Sequence, residues 1–211
     1  NRSEVGNYRP VSLTSILCKV METMVRNSVV QHIEKNELLS RHQHGFMKNR
    51  SCLTNLLETL EEWTGALEEG YGLDILYLDY QKAFDTVPHE RLMKKLKWYG
   101  IDENLYSWIR DFVSQREMRV NVEGVYSKWN DVESGVPQGS VLGPLLFVLY
   151  VNDITTLVKS SVKLFADDTK IWRSMRTQED EKIMQADIDE LNDWSEDWLL
   201  KFNTDKCKQM S

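Results

Sequence analysis

The chain has 211 residues, 41% of them hydrophobic and 28% charged, with a formal net charge of −7. That length fits one large domain or two small ones with a real core, and no apolar run approaches the eighteen or so residues that a membrane helix needs. It opens "NRSEVGNYRP", polar and with neither an initiator Met nor a signal peptide or other targeting signal, which reads as a fragment of something longer.

Cys18, Cys52 and Cys207 are odd in number, widely spaced and without a CxxC, which predicts a reduced, intracellular protein. Charge is segregated. Residues 1–56 carry eight Lys/Arg against four Asp/Glu, a net of +4, so the remainder carries −11. A basic N-terminal part is compatible with phosphate partners despite the acidic total.

In chain order, the first predicted helix follows Pro10, with Thr14 or Ser15 as N-cap and Ile16, Val20, Met24, Val29, Val30 and Ile33 near one face. A second spans 51–69, with Leu53, Leu56, Leu57, Leu60, Trp63 and Leu67 as its apolar stripe. "GYG" breaks it, and the strand "LDILYLDY" follows, with Asp79 near its end. A helix over 89–99 stops at Gly100, and another runs from Asp102 to about Gln115. "MRVNVEG" and "YSKWNDVES" alternate like paired strands around Gly124, and "GVPQGS" is a loop. "VLGPLLFVLYVNDI" is an apolar helix that tolerates Pro144 in its first turn. A strand pair surrounds Asp167, a helix over 177–198 starts on a Thr177–Asp180 capping box, and a last strand pair surrounds Asn203. Helices and strands mix without strict alternation, so the expected class is α+β.

"KLFADDTKI" is the odd stretch, because adjacent aspartates repel each other and form strands poorly. Isolated, Asp167 and Asp168 read as a solvated turn. Here they sit between two strand-like runs, at the tip of a tight hairpin. If the strand ending at Asp79 joins the same sheet, three carboxylates converge at one edge. They cannot all stay ionised without a counter-charge. Hard oxygen donors point to Mg²⁺, with Mn²⁺ as a substitute. Two such ions about 3.5–4 Å apart serve in-line phosphoryl transfer.

Six blocks in order, "NYRPVSLTS", "QHGFMKNRSC", "LYLDYQKAFDTVPH", "SGVPQGSVLGPLLFVLYVNDI", "KLFADDTKI" and "LKFNTDKCKQM", cover nearly the whole chain. They resemble the reverse transcriptase of non-LTR (LINE-type) retrotransposons of the jockey and chicken-repeat-1 kind. The resemblance implies a right-hand polymerase of fingers and palm, an antiparallel palm sheet flanked by helices, with the thumb absent. Residues 1–72 are then mainly fingers and 73–211 mainly palm with some fingers-like insertion, all in one domain fragment.

It further implies that Asp79, Asp167 and Asp168 are the catalytic metal ligands for two Mg²⁺. Arg9 contacts the nucleotide phosphates, Phe84 is the steric gate at the sugar 2′ carbon, and Gln138 with Gly139 borders nucleotide and template. Lys206 matches a lysine proposed to protonate pyrophosphate. The implied partners are an RNA template, a DNA primer and dNTPs, without a membrane, in cytoplasm and nucleus.

The residues alone agree in part. Arginine suits a triphosphate, and the helix after "GVPQGS" offers free amides at a positive dipole end. Cys18 reads as core, Trp194 and Trp198 as helix stripe, and Asp85 as a cap for the following helix. His42, His44 and Cys52 match no common zinc spacing. Two other readings stay open: a catalytically silent retroelement remnant, and an RNA-directed RNA polymerase palm.

Overall fold

The computed structural model describes residue 4 and residues 8–211. Helices α1 (Ile16–Lys35) and α2 (Cys52–Glu68) precede strand β1 (Gly72–Leu78). The short α3 (Ala83–Thr86), α4 (His89–Trp98) and α5 (Glu103–Val113) follow, then a ribbon of β2 (Arg116–Met118), β3 (Asn121–Val122), β4 (Val125–Tyr126) and β5 (Asn130–Val132). The chain closes with α6 (Gly143–Val151), β6 (Ser161–Phe165), β7 (Asp168–Met175), α7 (Gln178–Asp197) and β8 (Lys208–Met210).

The main sheet has the order β6-β7-β1-β8, with every neighbouring pair antiparallel. One face packs on a core centred on α6. In that helix every residue but Pro144 is buried, so it is apolar all round rather than on one stripe. α4 brings Leu92 and Leu96 to it, α5 brings Ile109 and Val113, and α7 brings Met184, Leu191 and Trp194. Each such fully buried side chain is worth roughly 1.5–3 kcal/mol.

Caps set the helix ends as the sequence implies. Ser15 accepts from the Cys18 amide, Asp102 from the Asn104 amide, and Thr177 with Asp180 completes a capping box. Gly100, at φ 68°, takes the left-handed position after α4.

Three expectations fail here. The leucine stripe of α2 faces outward: Leu53, Leu56, Leu57, Leu60 and Leu67 are exposed while Asn55 and Thr59 are buried. The reason is a polar demand. Asn55 Nδ2 donates to the Leu164 carbonyl at 3.1 Å, and Thr59 Oγ1 donates to the Asn55 carbonyl, so the face that satisfies the strand is the one buried. Ile16, Val20 and Met24 of α1 are likewise exposed, whereas its Val25, Val29 and Ile33 are buried in the core and Val30 packs against it. The strand pair around Asn203 is instead an isolated bridge, Tyr80 to Phe202, a turn, and β8 on the edge of β1.

Lys95 is a buried cation in an aromatic cage. Its ammonium donates to Asp153 Oδ1 at 2.6 Å and to the Tyr150 carbonyl, and lies 3.9 Å from the Trp198 ring centroid and 4.8 Å from that of Trp194. Trp194 and Trp198 thus belong to the helix stripe, as their spacing implies, and also hold a charge.

Candidate active site

The site grows from the end of the sheet. β6 and β7 form a hairpin whose last pair is Phe165–Asp168, so its turn is Ala166 and Asp167, with Ala166 at φ 57°. A positive φ at the first turn position lets a two-residue loop follow the right-handed strand twist. β1 runs beside β7 up to the pair Leu78–Thr169. One step further along this ladder sets Asp79 opposite Asp168, on the same face of the sheet. Asp167 lies on the turn beside them. The three carboxylates therefore share one end of the sheet.

They crowd each other. Burial pushes the Asp167 carboxyl above its ordinary range, and the charges of Asp168 and Asp79 add to the rise. Its own backbone N–H and the Arg9 guanidinium act the other way. Arg9, itself exposed, thus stands within electrostatic reach of the carboxylates.

Lys206 comes to the same place by a short route. The Asn203 amide donates to the Asp79 carbonyl at 2.8 Å, and the turn that follows returns Lys206 N–H to the Asn203 carbonyl. The Lys206 ammonium then lies 3.1 Å from Asp79 Oδ2. That oxygen is buried without a hydrogen-bond partner, so the ammonium is close but badly angled. Among the described residues, no three Asp, Glu, His or Cys side chains close into a metal-sized shell. The carboxylates are gathered, but not drawn into a finished cage. An all-oxygen donor set with one orphaned buried oxygen fits a hard divalent cation.

The second group surrounds "PQG". The Gln138 carbonyl accepts from the Ser12 amide at 2.7 Å, and its side-chain amide donates to Asp85 Oδ1 at 2.9 Å. Asp85 therefore braces this loop instead of capping α4, whose N-cap position is Pro88. Gly139, at φ 94°, would place a Cβ 3.1 Å from the Ser12 carbonyl, so both its backbone and its neighbour favour glycine. The Phe84 carbonyl accepts from Val136 N–H. The half-buried Phe84 ring stacks on Phe147 at 4.4 Å and meets Phe46 edge-on at 6.4 Å. Residues 9–12 span the two groups, with Arg9 toward Asp167 and Ser12 on Gln138.

One reading is corrected. The amides at the start of α6 are not free for a phosphate: Glu22, fully buried on α1, accepts from Val141 N–H at 2.7 Å and Leu142 N–H at 2.9 Å. A carboxylate already neutralises that dipole end. Cys18, expected in the core, is half-buried and donates its thiol to Glu22. His44 has local partners, with Nδ1 2.9 Å from Thr54 Oγ1 and Nε2 3.5 Å from a Glu58 carboxylate oxygen.

Residue-by-residue reading missed Gln43, Gly45 and Phe46, which bind the hairpin and Phe84. Their signal was the block "QHGF" itself, whose side chains carry no charge and so gave no electrostatic cue.

An antiparallel sheet with carboxylates gathered at one end and helices packed behind it has the architecture of a polymerase palm. Comparison narrows the class. Residues 1–211 match the family described as "Reverse transcriptase (RNA-dependent DNA polymerase)", and the chain belongs to that family. It is 28% identical over 99% of its length to the RNA-directed DNA polymerase from mobile element jockey of Drosophila melanogaster, and 30% identical to that of Drosophila funebris. It spans 24% of the length of each. Among solved structures, apo telomerase from Candida tropicalis superposes with a TM-score of 0.68 at 13% identity, over 90% of this chain and 37% of the other. That likeness carries the fold alone. Among the described residues no helix is long and apolar enough to cross a membrane.

Proposed function

We propose that this chain carries the chemical centre of an RNA-directed DNA polymerase, adding dNTPs to the 3′ hydroxyl of a DNA primer on an RNA template in retrotransposition. The observation that supports this most is that the β1–β7 ladder ends at Leu78 and Thr169, one residue short of Asp79 and Asp168, with Asp167 on the adjoining turn. Asp79, Asp167 and Asp168 would hold two Mg²⁺, or Mn²⁺ in its place. Bound there, such ions would activate the primer hydroxyl and neutralise charge on the transferred phosphoryl group and leaving oxygen.

The protein's own residues do the rest. The carboxylates fix where the cations stand. Arg9, beside them, pairs with nucleotide phosphates by its planar fork. Phe84 cannot retreat from the sugar, because Phe147 lies behind its ring. Gln138 and Gly139 form a braced loop bordering nucleotide and template. Lys206, already at Asp79, holds a proton that it can pass to departing pyrophosphate. RNA as template, together with cysteines that are all free thiols, suits work in cytoplasm and nucleus.

The test is dTTP incorporation on poly(rA)/oligo(dT) with Mg²⁺, comparing the parent with Asp79→Asn and Asp167→Asn. Loss by several decades in both variants is expected. Incorporation that survives either substitution would remove the carboxylates from the chemistry.

A further inference from the structure

Gln43 is 1% exposed and makes an unusual set of bonds. Its side-chain oxygen accepts from two backbone amides, Gly45 N–H at 2.7 Å and Ala166 N–H at 3.0 Å. Ala166 is the first residue of the two-residue turn that carries Asp167. Two converging N–H donors admit only an oxygen, so the orientation of the amide is fixed. Its nitrogen is then left buried with no partner, at a cost of about 1–3 kcal/mol. A protein interior retains such an orphan where the other half of the group is doing something that an apolar side chain cannot.

The backbone around Gln43 is committed to the same hairpin. His44 N–H donates to the Leu164 carbonyl and Leu164 N–H to the His42 carbonyl, both at 2.9 Å, so Gln43 bridges Leu164 in parallel register. Gly45 lies so close that a Cβ there would stand 2.2 Å from Ala166 N. Backbone cannot yield to that contact, so the segment tolerates no side chain at Gly45. Gln43 and Gly45 together form a clamp around one peptide unit, Phe165–Ala166, by which the chain enters the turn.

We propose that Gln43 is a positioning residue for the chemistry: by holding Ala166 N–H it fixes the turn, and through the turn the direction in which Asp167 and Asp168 present their oxygens. It touches no substrate atom and acts through backbone alone. The purpose of the clamp follows from the electrostatics. Three carboxylates at one sheet end repel each other, and a two-residue turn with φ 57° at Ala166 would relieve that repulsion by rotating Asp167 outward unless something held it. The inference rests on the carboxylates being cation ligands.

The experiment uses this chain with Mn²⁺ as the probe, read by electron paramagnetic resonance, together with amide hydrogen exchange at Ala166. Gln43→Met keeps the size and removes the acceptor. Gln43→Glu keeps the acceptor and serves as the conservative rescue. For Gln43→Met the expected result is fast exchange at Ala166, unchanged protection in α6, and Mn²⁺ affinity lower by about 10–100-fold, the usual effect of losing a group that orients a ligand. Gln43→Glu should retain slow exchange and most of the affinity. Slow exchange at Ala166 in Gln43→Met, or fast exchange with Mn²⁺ affinity intact, would overturn the proposal. Asp167→Asn separates the two ideas. If it binds Mn²⁺ as the parent does, the carboxylate reading fails, and the Ala166 exchange rate still decides whether Gln43 holds the turn.

Discussion

Lys206 Nζ lies 3.1 Å from Asp79 Oδ2, yet that oxygen has no hydrogen-bond partner. The ammonium sits where a cation belongs without being well bound there. Its side chain is 66% exposed, and an ion pair so open to water is worth at most about 1 kcal/mol. A divalent ion can therefore displace it. Lys206→Met is expected to tighten Mn²⁺ binding by about fivefold, the equivalent of that energy, while slowing nucleotide addition through loss of the proton donor. Unchanged Mn²⁺ affinity in a titration would show that lysine and metal do not compete.

Phe84 is held from behind by Phe147, with ring centroids 4.4 Å apart. A gate needs such a stop, since a ring free to swing would admit the 2′ hydroxyl it should reject. Phe84→Val is expected to lower the ratio of kcat/KM for dCTP over CTP by about ten- to a hundredfold, as an overpacked pocket relaxes. It should also cost about 1–2 kcal/mol of stability through the lost stacking and buried area. A ratio that stays put, with stability reduced, would make Phe84 a packing residue and favour RNA synthesis by this palm.

Lys95 gives a pH dependence of definite sign. Burial lowers its pKa from 10.5 to about 8, with Asp153 opposing the fall. Between those values the unfolded chain binds more protons than the native one, so stability rises with pH. From pH 7 to 9.5 the parent should gain about 2 kcal/mol relative to Lys95→Met. This is a relative shift of roughly 4–8 °C in melting temperature. Above pH 10, tyrosines such as Tyr99, whose hydroxyl burial raises to about 12, pull the other way. Thermal melts of both proteins across that range check it; parallel curves would mean that the ammonium is solvated.

Glu22 holds two amides of the loop into α6 on a single carboxylate oxygen. Glu22→Ala leaves both donors buried and unpaired, at about 1–3 kcal/mol each, so a drop in melting temperature of at least 4 °C is expected. Glu22→Gln can still present one oxygen to both donors and should lose only about half as much. Equal losses in the two variants would place the effect in charge rather than in the hydrogen bonds.

Much of this was legible in the sequence, and the failures share a cause. Most of the element order, the caps at Ser15 and Thr177, and the hairpin around Asp167 follow from local pattern, because capping and turn chemistry are decided within four or five residues. Asp79, Asp167 and Asp168 were conspicuous because they are charges in a strand context, although among the described residues no three such side chains close into a metal-sized shell. The outward leucines of α2 were not. Which face a helix buries depends on its neighbours, and here the Leu164 carbonyl asked for Asn55. Glu22 escaped notice for the same reason: 119 residues separate it from the Val141 amide it accepts, and nothing near it in the chain marks it as a cap.

The hairpin that carries two of the three carboxylates has a further consequence for inheritance. Its turn is two residues long and its strands are paired on both sides of β7, so side-chain direction is tied to residue count. Substitutions along it away from Asp167 and Asp168 can be absorbed one at a time. Gain or loss of a single codon between the strands cannot, because every position beyond the change moves to the opposite face. An in-frame length change here would put Lys170 or Trp172 where Ile171 packs in the core, so fold and site would fail together. The number of residues between Phe165 and Thr169 is thus fixed by the packing of β7 as well as by the placement of the carboxylates.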